Sequence, residues 1–358
     1  MNSKERVLAA INRKGHDRPP IFATLTPQVA QALSMHLGYA YEIPADSLLS
    51  TRISHPKLLT AMGNDCVGIA ACTPEERPLI VTTDGLITNE YGMVFKNAGL
   101  YNEFYHFPLE HANSVEDIDN YNWFDPLLDS RFSLANLTVQ EYGNHYAIVA
   151  DLETTIYETA WYMTGLEKLL MDLMLEPDYL PGLLDKIMYI NLETGKRLIG
   201  AGADILWAGD DFGSQSGMMM DPETWRIHFK PRIKHLFEEF KKVNPEVKIA
   251  WHSCGSILPI IPDFIEIGLD ILNPLQPLAL GMDPEYLVSN YGRDLVFFGG
   301  IDIQELLPNG PISKIKDEVK RRIEIFGKYN GYIAAPAHNI QPDTPPEHIL
   351  AFFEAVME

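Results

Sequence analysis

The sequence predicts an α/β fold of the (β/α)8 class, a TIM barrel with an N-terminal helical extension and a β-hairpin insertion after the second strand. Three observations predict it. Eight short segments rich in β-branched or apolar residues recur along the chain, at 20–24, 66–70, 146–150, 204–208, 247–251, 270–273, 295–299 and 332–335. Their apolar runs are nearly continuous, the pattern of strands buried on both faces of a parallel sheet. Helical spacing fills the intervals between them. A doubly wound sheet is the alternative arrangement of the same elements.

Taken in order, the first break in the rhythm is the long interval at 72–144. Thr82 to Thr88 and Glu90 to Phe95 alternate like hairpin strands, and Asp84-Gly85 is a turn signal. Insertions of this length decorate the loop face of a barrel. The interval is expected to form a lid or docking surface, or else a structural flap. Residues 166–199 carry apolar residues at helical spacing, broken near Pro177 and Pro181. Asp221-Pro222-Glu223 opens a helix with Asp as N-cap and Pro at its first position, and its apolar stripe runs through Ile227, Phe229, Ile233, Leu236 and Phe240. Residues 312–326 and 346–356 read as the last two helices. Trp161 and Tyr162 are expected to pack a helix, and Met218-Met219-Met220 to serve as flexible packing. The whole chain, 1–358, reads as one domain.

Bulk properties narrow the function. Lys+Arg number 28 against 49 Asp+Glu, a formal net charge of -21. Such a surface repels phosphate backbones, so nucleic acid is not an expected partner, whereas a homodimer is compatible with it. Three cysteines are too few for a disulfide framework and suit a reducing compartment. Residues 1–6 lack the apolar core of a signal peptide, and no apolar run approaches the roughly 20 residues of a membrane span. These features lead to the expectation of a cytoplasmic chain without a membrane partner.

The chemistry concentrates at Trp251-His252-Ser253-Cys254-Gly255. Residues i and i+2 of an extended strand point to one side, so His252 and Cys254 can aim an imidazole nitrogen and a thiolate at one point. The eighth strand runs into Ala337-His338-Asn339. In a barrel, the carboxyl ends of all strands converge on one mouth, which brings His338 toward the same point. Three protein ligands with a fourth position open is the pattern of a catalytic zinc. Glu153 and Glu158, after the third strand, are candidate further ligands. Asp210, Asp211 and Gln215 follow the fourth strand and are expected to position substrate, orient a ligand, or protonate a leaving group, with helix capping as the structural alternative. Neither a complete dinucleotide fingerprint, a Walker motif nor a Gly-x-Ser-x-Gly elbow occurs.

These residues resemble the uroporphyrinogen decarboxylase superfamily, and within it the corrinoid (cobalamin)-dependent zinc methyltransferase branch. The resemblance runs through Glu5 to Ile11 and Asp17-Arg18-Pro19-Pro20, the segment Gly209 to Gln215, Asp221-Pro222-Glu223, His252-Ser253-Cys254-Gly255, the segments 268–277 and 335–345, and Gly299-Gly300-Ile301-Asp302. It implies a TIM barrel holding Zn²⁺ on His252, Cys254 and His338. It also implies a small-molecule methyl donor or acceptor, and a corrinoid carried by a separate protein. Two departures refine it. The decarboxylases carry an Arg-Gln-Ala-Gly-Arg run after the first strand to grip an octa-acid substrate, whereas this chain has Ala23-Thr24-Leu25-Thr26-Pro27. Relatives that methylate coenzyme M carry Cys where His338 stands. A His-Cys-His set leaves Zn²⁺ formally positive, a stronger Lewis acid suited to an oxygen leaving group. The expected reaction is therefore demethylation of an O-methyl donor such as a methoxylated aromatic. Alternatives are methylcorrinoid-to-thiol transfer, porphyrinogen decarboxylation, or a non-catalytic tetrapyrrole-binding protein.

Overall fold

A computed structural model describes residues 1–45, 52–99, 102–152 and 154–358. Its strands in chain order are β1 (Cys66–Ile69), β2 (Ile80–Val81), β3 (Leu86–Thr88), β4 (Val94–Asn97), β5 (Asn102–His106), β6 (Ala147–Asp151), β7 (Ile205–Gly209), β8 (Lys248–His252), β9 (Ile271–Asn273), β10 (Val296–Ile301) and β11 (Tyr332–Pro336). Seven of them form one parallel sheet in the order β1-β6-β7-β8-β9-β10-β11. Every residue of β6, β7, β9, β10 and β11 is buried. Both faces are therefore covered, which explains the unbroken apolar runs. Helices such as Leu180–Ala201, Lys230–Val243 and Ile312–Phe326 cover the outside.

The expected first strand, 20–24, is not a regular strand, and this corrects the count of eight. Residues 21–25 make only isolated parallel bridges, Ile21 with Ala334 and Leu25 with Ile340. The segment still occupies the gap between β11 and β1. Phe22 N donates to Ala334 O at 3.2 Å, and Asp65 N donates to Ile21 O at 2.8 Å. Two other backbone donors go to side chains. Ile21 N donates to the buried Asp65 carboxylate and Ala23 N to Asn64 Oδ1. Pro19 and Pro20 have no N–H to offer. Asp65 also takes Arg6 and Arg18 at 2.6 and 2.8 Å, which ties the N-terminal helix Ser3–Ile11 to this seam.

The inserted interval holds a four-stranded antiparallel sheet, β2-β3-β4-β5, where one hairpin was expected. The Asp84-Gly85 turn joins β2 to β3, with Gly85 at φ +83°. Phe104 of β5 packs on Phe95, and reaches Trp161 and Tyr162 of the helix Tyr157–Thr164 at ring separations of 5.3 and 4.6 Å. The insertion is thus seated on the helix that follows β6, beside the barrel mouth.

The helix opened by Asp221 is capped as expected, with Asp221 Oδ1 accepting from Glu223 N at 2.8 Å. It spans only Pro222–His228, and a second helix begins at Lys230. Pro231 is the physical reason. It has no N–H for a continuing ladder, and its ring clashes with the carbonyl four residues earlier.

Candidate metal centre

His252 ends β8 and His338 lies two residues beyond β11, so two different strands deliver them to one mouth. His252, Cys254 and His338 each offer a ligand atom, and these atoms lie within 4.8 Å of one another. Cys254 Sγ is 3.3 Å from His252 Nε2. A tetrahedral zinc with ordinary bond lengths sets such a pair about 3.6 Å apart. The two imidazole rings have their centroids 5.9 Å apart.

Asn273, at the end of β9, decides which His252 nitrogen faces the cysteine. Its amide nitrogen donates to Phe298 O at 3.1 Å, which turns Oδ1 toward His252 Nδ1. An oxygen acceptor requires Nδ1 to carry the proton. The Nε2 lone pair therefore points at Cys254, the tautomer a metal ligand needs. Burial holds the His252 imidazole down to about 4 and the His338 imidazole down to about 3. Both are neutral, and so able to ligate, across the physiological range.

The carboxylates separate into distinct places. Asp211 is at the cluster. Its Oδ1 accepts from Cys254 N at 2.6 Å and stands 3.5 Å from His252 Nε2. Glu158 is buried behind it, accepting from Asp211 N at 3.1 Å and from Tyr162 OH at 3.0 Å. Glu158 is thus one step removed from the three ligand atoms. Asp210 is wholly buried and turned into the preceding loop, where it accepts backbone N–H groups of Thr155, Ile156 and Glu158. Burial pushes its carboxyl up to about 7 against the pull of those donors. Its geometry is that of a loop anchor, the structural alternative for this pair. Gln215 donates to Gln276 Oε1, which also accepts from Gly255 N. Gln215 thereby braces the loop after Cys254. Glu153 lies outside the described residues.

A narrow cavity of about 10 Å³ adjoins the cluster. Phe22, Trp207 and Phe298 contribute its aromatic surface, with ring separations of 5.0–5.8 Å. Arg52 lies over the Trp207 ring at 4.7 Å and pairs with Asp151 at 3.4 Å. Sequence reasoning missed Asn273, Arg52 and Trp207. A polar residue closing the sixth strand was the one available signal for Asn273. Arg52 sits between elements and gave none.

This fold and this mouth define a parallel α/β barrel with His252, Cys254 and His338, a group that could hold a metal ion, at the carboxyl ends of its strands. Residues 106–358 match the family described as uroporphyrinogen decarboxylase (URO-D), and the chain belongs to that family. A uroporphyrinogen decarboxylase from Acidiphilium cryptum is 23% identical over 180 residues, 50% of this chain and 47% of that protein. A methylated-thiol–coenzyme M methyltransferase from Methanosarcina mazei is 23% identical over 211 residues, 59% of this chain and 53% of that protein. The chain spans about half the length of these curated relatives. Among solved structures, a methyltransferase from Methanosarcina mazei superposes with a TM-score of 0.71 at 21% identity, covering 100% of this chain and 98% of that one. At that identity the likeness establishes the fold. No helix among the described residues is long and apolar enough to cross a membrane.

Proposed function

We propose that the chain is a zinc-dependent methyltransferase that moves a methyl group between a small-molecule donor and a corrinoid carried by a separate protein. The observation that carries this reading is the convergence of His252, Cys254 and His338 within 4.8 Å. The donor set fits zinc, with two neutral imidazoles and one sulfur, one imidazole being oriented by Asn273. When bound, zinc supplies Lewis acidity to the heteroatom that loses the methyl group, and the partner's corrinoid supplies the methyl carrier.

The chain's own residues do the rest. His252, Cys254 and His338 would hold the ion. Asp211, partly exposed beside His252, holds the Cys254 backbone and is the group placed to manage a proton on the departing atom. Asp210 and Gln215 fix the loops on which Asp211 and Cys254 ride. Phe22, Trp207 and Phe298 pack on one another as a buried apolar floor beneath the cluster, which limits water there. An O-methyl donor is the proposed substrate class, with the Lewis acidity of the ion serving the departing oxygen.

The single guanidinium in the described wall of the cavity beside the cluster is paired with Asp151, which weighs against an octa-acid porphyrinogen. Metal analysis of the wild type, His252→Ala and Cys254→Ser tests the first step, and about one zinc per chain in the wild type alone is expected. Zinc-free wild type under metal-replete conditions defeats the reading. Turnover of methoxylated aromatics with a reduced corrinoid protein tests the second step. Transfer only from methylcobalamin to thiols would move the assignment to the acceptor side.

A further inference from the structure

A cavity of about 440 Å³ lies between the loop after β9, the short helix Leu306–Asn309 and the long helix Ile312–Phe326. That volume is in the range of small-molecule sites, about 300–1,000 Å³. It shares no wall residue with the cavity beside His252, and the proposed methyl chemistry uses none of its side chains.

One wall carries a guanidinium with unused donors. Arg322 is 8% exposed. Its Nη2 meets Glu318 Oε1 at 2.5 Å, but its Nε and Nη1 have no hydrogen-bond partner among the described residues. Buried donors without acceptors are costly, and the cavity that Arg322 borders is where an acceptor can be supplied. Lys314, Glu318 and Arg322 stand at i, i+4 and i+8 and so share one face of the long helix. Lys314 borders the same cavity and makes no ion pair among the described residues.

The carboxylates of the wall are already engaged or lie at its edge. Asp302 accepts the backbone N–H groups of Gln304, Glu305 and Leu306 at 3.0, 3.0 and 2.8 Å. Glu318 is held by Arg322 and stands 3.5 Å from Arg321 Nη1. Glu305 is exposed, as is Lys314, and the two offset one another in charge. What the wall lacks is therefore an acceptor for Arg322 rather than a charge. A carboxylate meets that need better than a neutral carbonyl, because Arg322 and Lys314 are both cationic and charge-assisted hydrogen bonds are the stronger kind. A second negative charge on the ligand, as on a phosphate, would face Asp302 and Glu318 with no further cation in the wall. Pro277, Leu278 and Leu306 add apolar surface, with Leu278 51% exposed.

We propose that this cavity, with Arg322 and Lys314 as its donors, binds a small organic monocarboxylate with an apolar body. The inference goes beyond the methyltransferase reading and stands without zinc. Titration calorimetry on the chelator-treated full chain compares hexanoate, hexanamide and hexylamine, one carbon skeleton carried as an anion, a neutral amide and a cation. Hexanoate binding about tenfold tighter than hexanamide, with hexylamine weaker still, is expected. Lys314→Gln, a change at an exposed side chain, should weaken hexanoate severalfold and leave hexanamide unchanged. Glu318→Gln removes the carboxylate that competes for Arg322 and should tighten hexanoate severalfold, a gain that a damaged fold does not produce. Arg322→Met should abolish hexanoate binding, and the other two variants carry the test where Arg322→Met fails to fold. Hexanamide binding as tightly as hexanoate, hexanoate affinity unchanged in Lys314→Gln or not raised in Glu318→Gln, or no heat from hexanoate overturns the proposal. Zinc content, measured on the untreated proteins, reports the metal reading separately.

Discussion

Asn273 acts on the cluster without touching the metal position. Its orientation is set by the carbonyl of Phe298, and it in turn fixes the proton on His252 Nδ1. Asn273→Ala should therefore lower zinc affinity about 10- to 100-fold while the fold persists, and Asn273→Asp, which keeps an acceptor, should restore part of it. Competition with a chelator measures both. The same histidine gives a pH dependence in the metal-free protein. Burial lowers its folded-state value from 6.5 to about 4. Between those values the unfolded chain binds the extra proton, so stability falls as pH drops through 6.5 and levels off near 4. Between pH 7 and pH 5 this one group should remove about 2 kcal/mol, read by urea unfolding, and His252→Gln should abolish that share. A slope unchanged by His252→Gln would show that the ring is solvated in the metal-free chain.

At the scale of elements, the loops after β7 and β8 are pressed together at two glycines. Gly255 has φ +75°, and a Cβ there would stand 2.5 Å from Gly213 C. Gly255→Ala should strain the turn by about 1–2 kcal/mol and push the loops apart. Cys254 rides on that turn, so zinc affinity should fall further than stability. Chelator competition and thermal unfolding together separate the two effects. Equal zinc affinity in Gly255→Ala would show that the loops yield freely.

Elements also show why part of the molecule was legible in the sequence. Seven strands announced themselves because burial on both faces leaves no polar alternation. The segment 20–24 carried the same apolar signal, yet two of its backbone donors went to Asp65 and Asn64, partners far along the chain that no local pattern reveals. The inserted sheet was undercounted because β2 is exposed throughout and most of β5 is exposed as well, which weakens any alternation. The break at Pro231 was hidden by an apolar stripe that continues across it. His252 and Cys254 were legible through their spacing of two, and His338 through its place after the last strand. Arg52 and Trp207 acquire meaning only when the barrel closes around them.

For the molecule as a whole, the three proposed ligand side chains come from distant parts of the sheet. His252 and Cys254 follow β8, His338 follows β11, and β9 and β10 lie between. An ion bound to all three spans that interval and closes the mouth across non-adjacent strands. The unfolded chain has no such preformed site, so zinc should stabilise the native state by about 4 kcal/mol at a thousandfold excess over its dissociation constant. Thermal unfolding of wild type should therefore rise by several degrees on zinc addition and return when a chelator is added. His338→Ala tests the span itself. It removes the β11 contribution while leaving the His252–Cys254 pair, which ligates from a single strand end. Its metal-free Tm serves as the baseline for the comparison. Its zinc-dependent increment should nearly vanish. If His338→Ala keeps the full increment, the third ligand comes from elsewhere in the mouth, and zinc does not bridge β8 to β11.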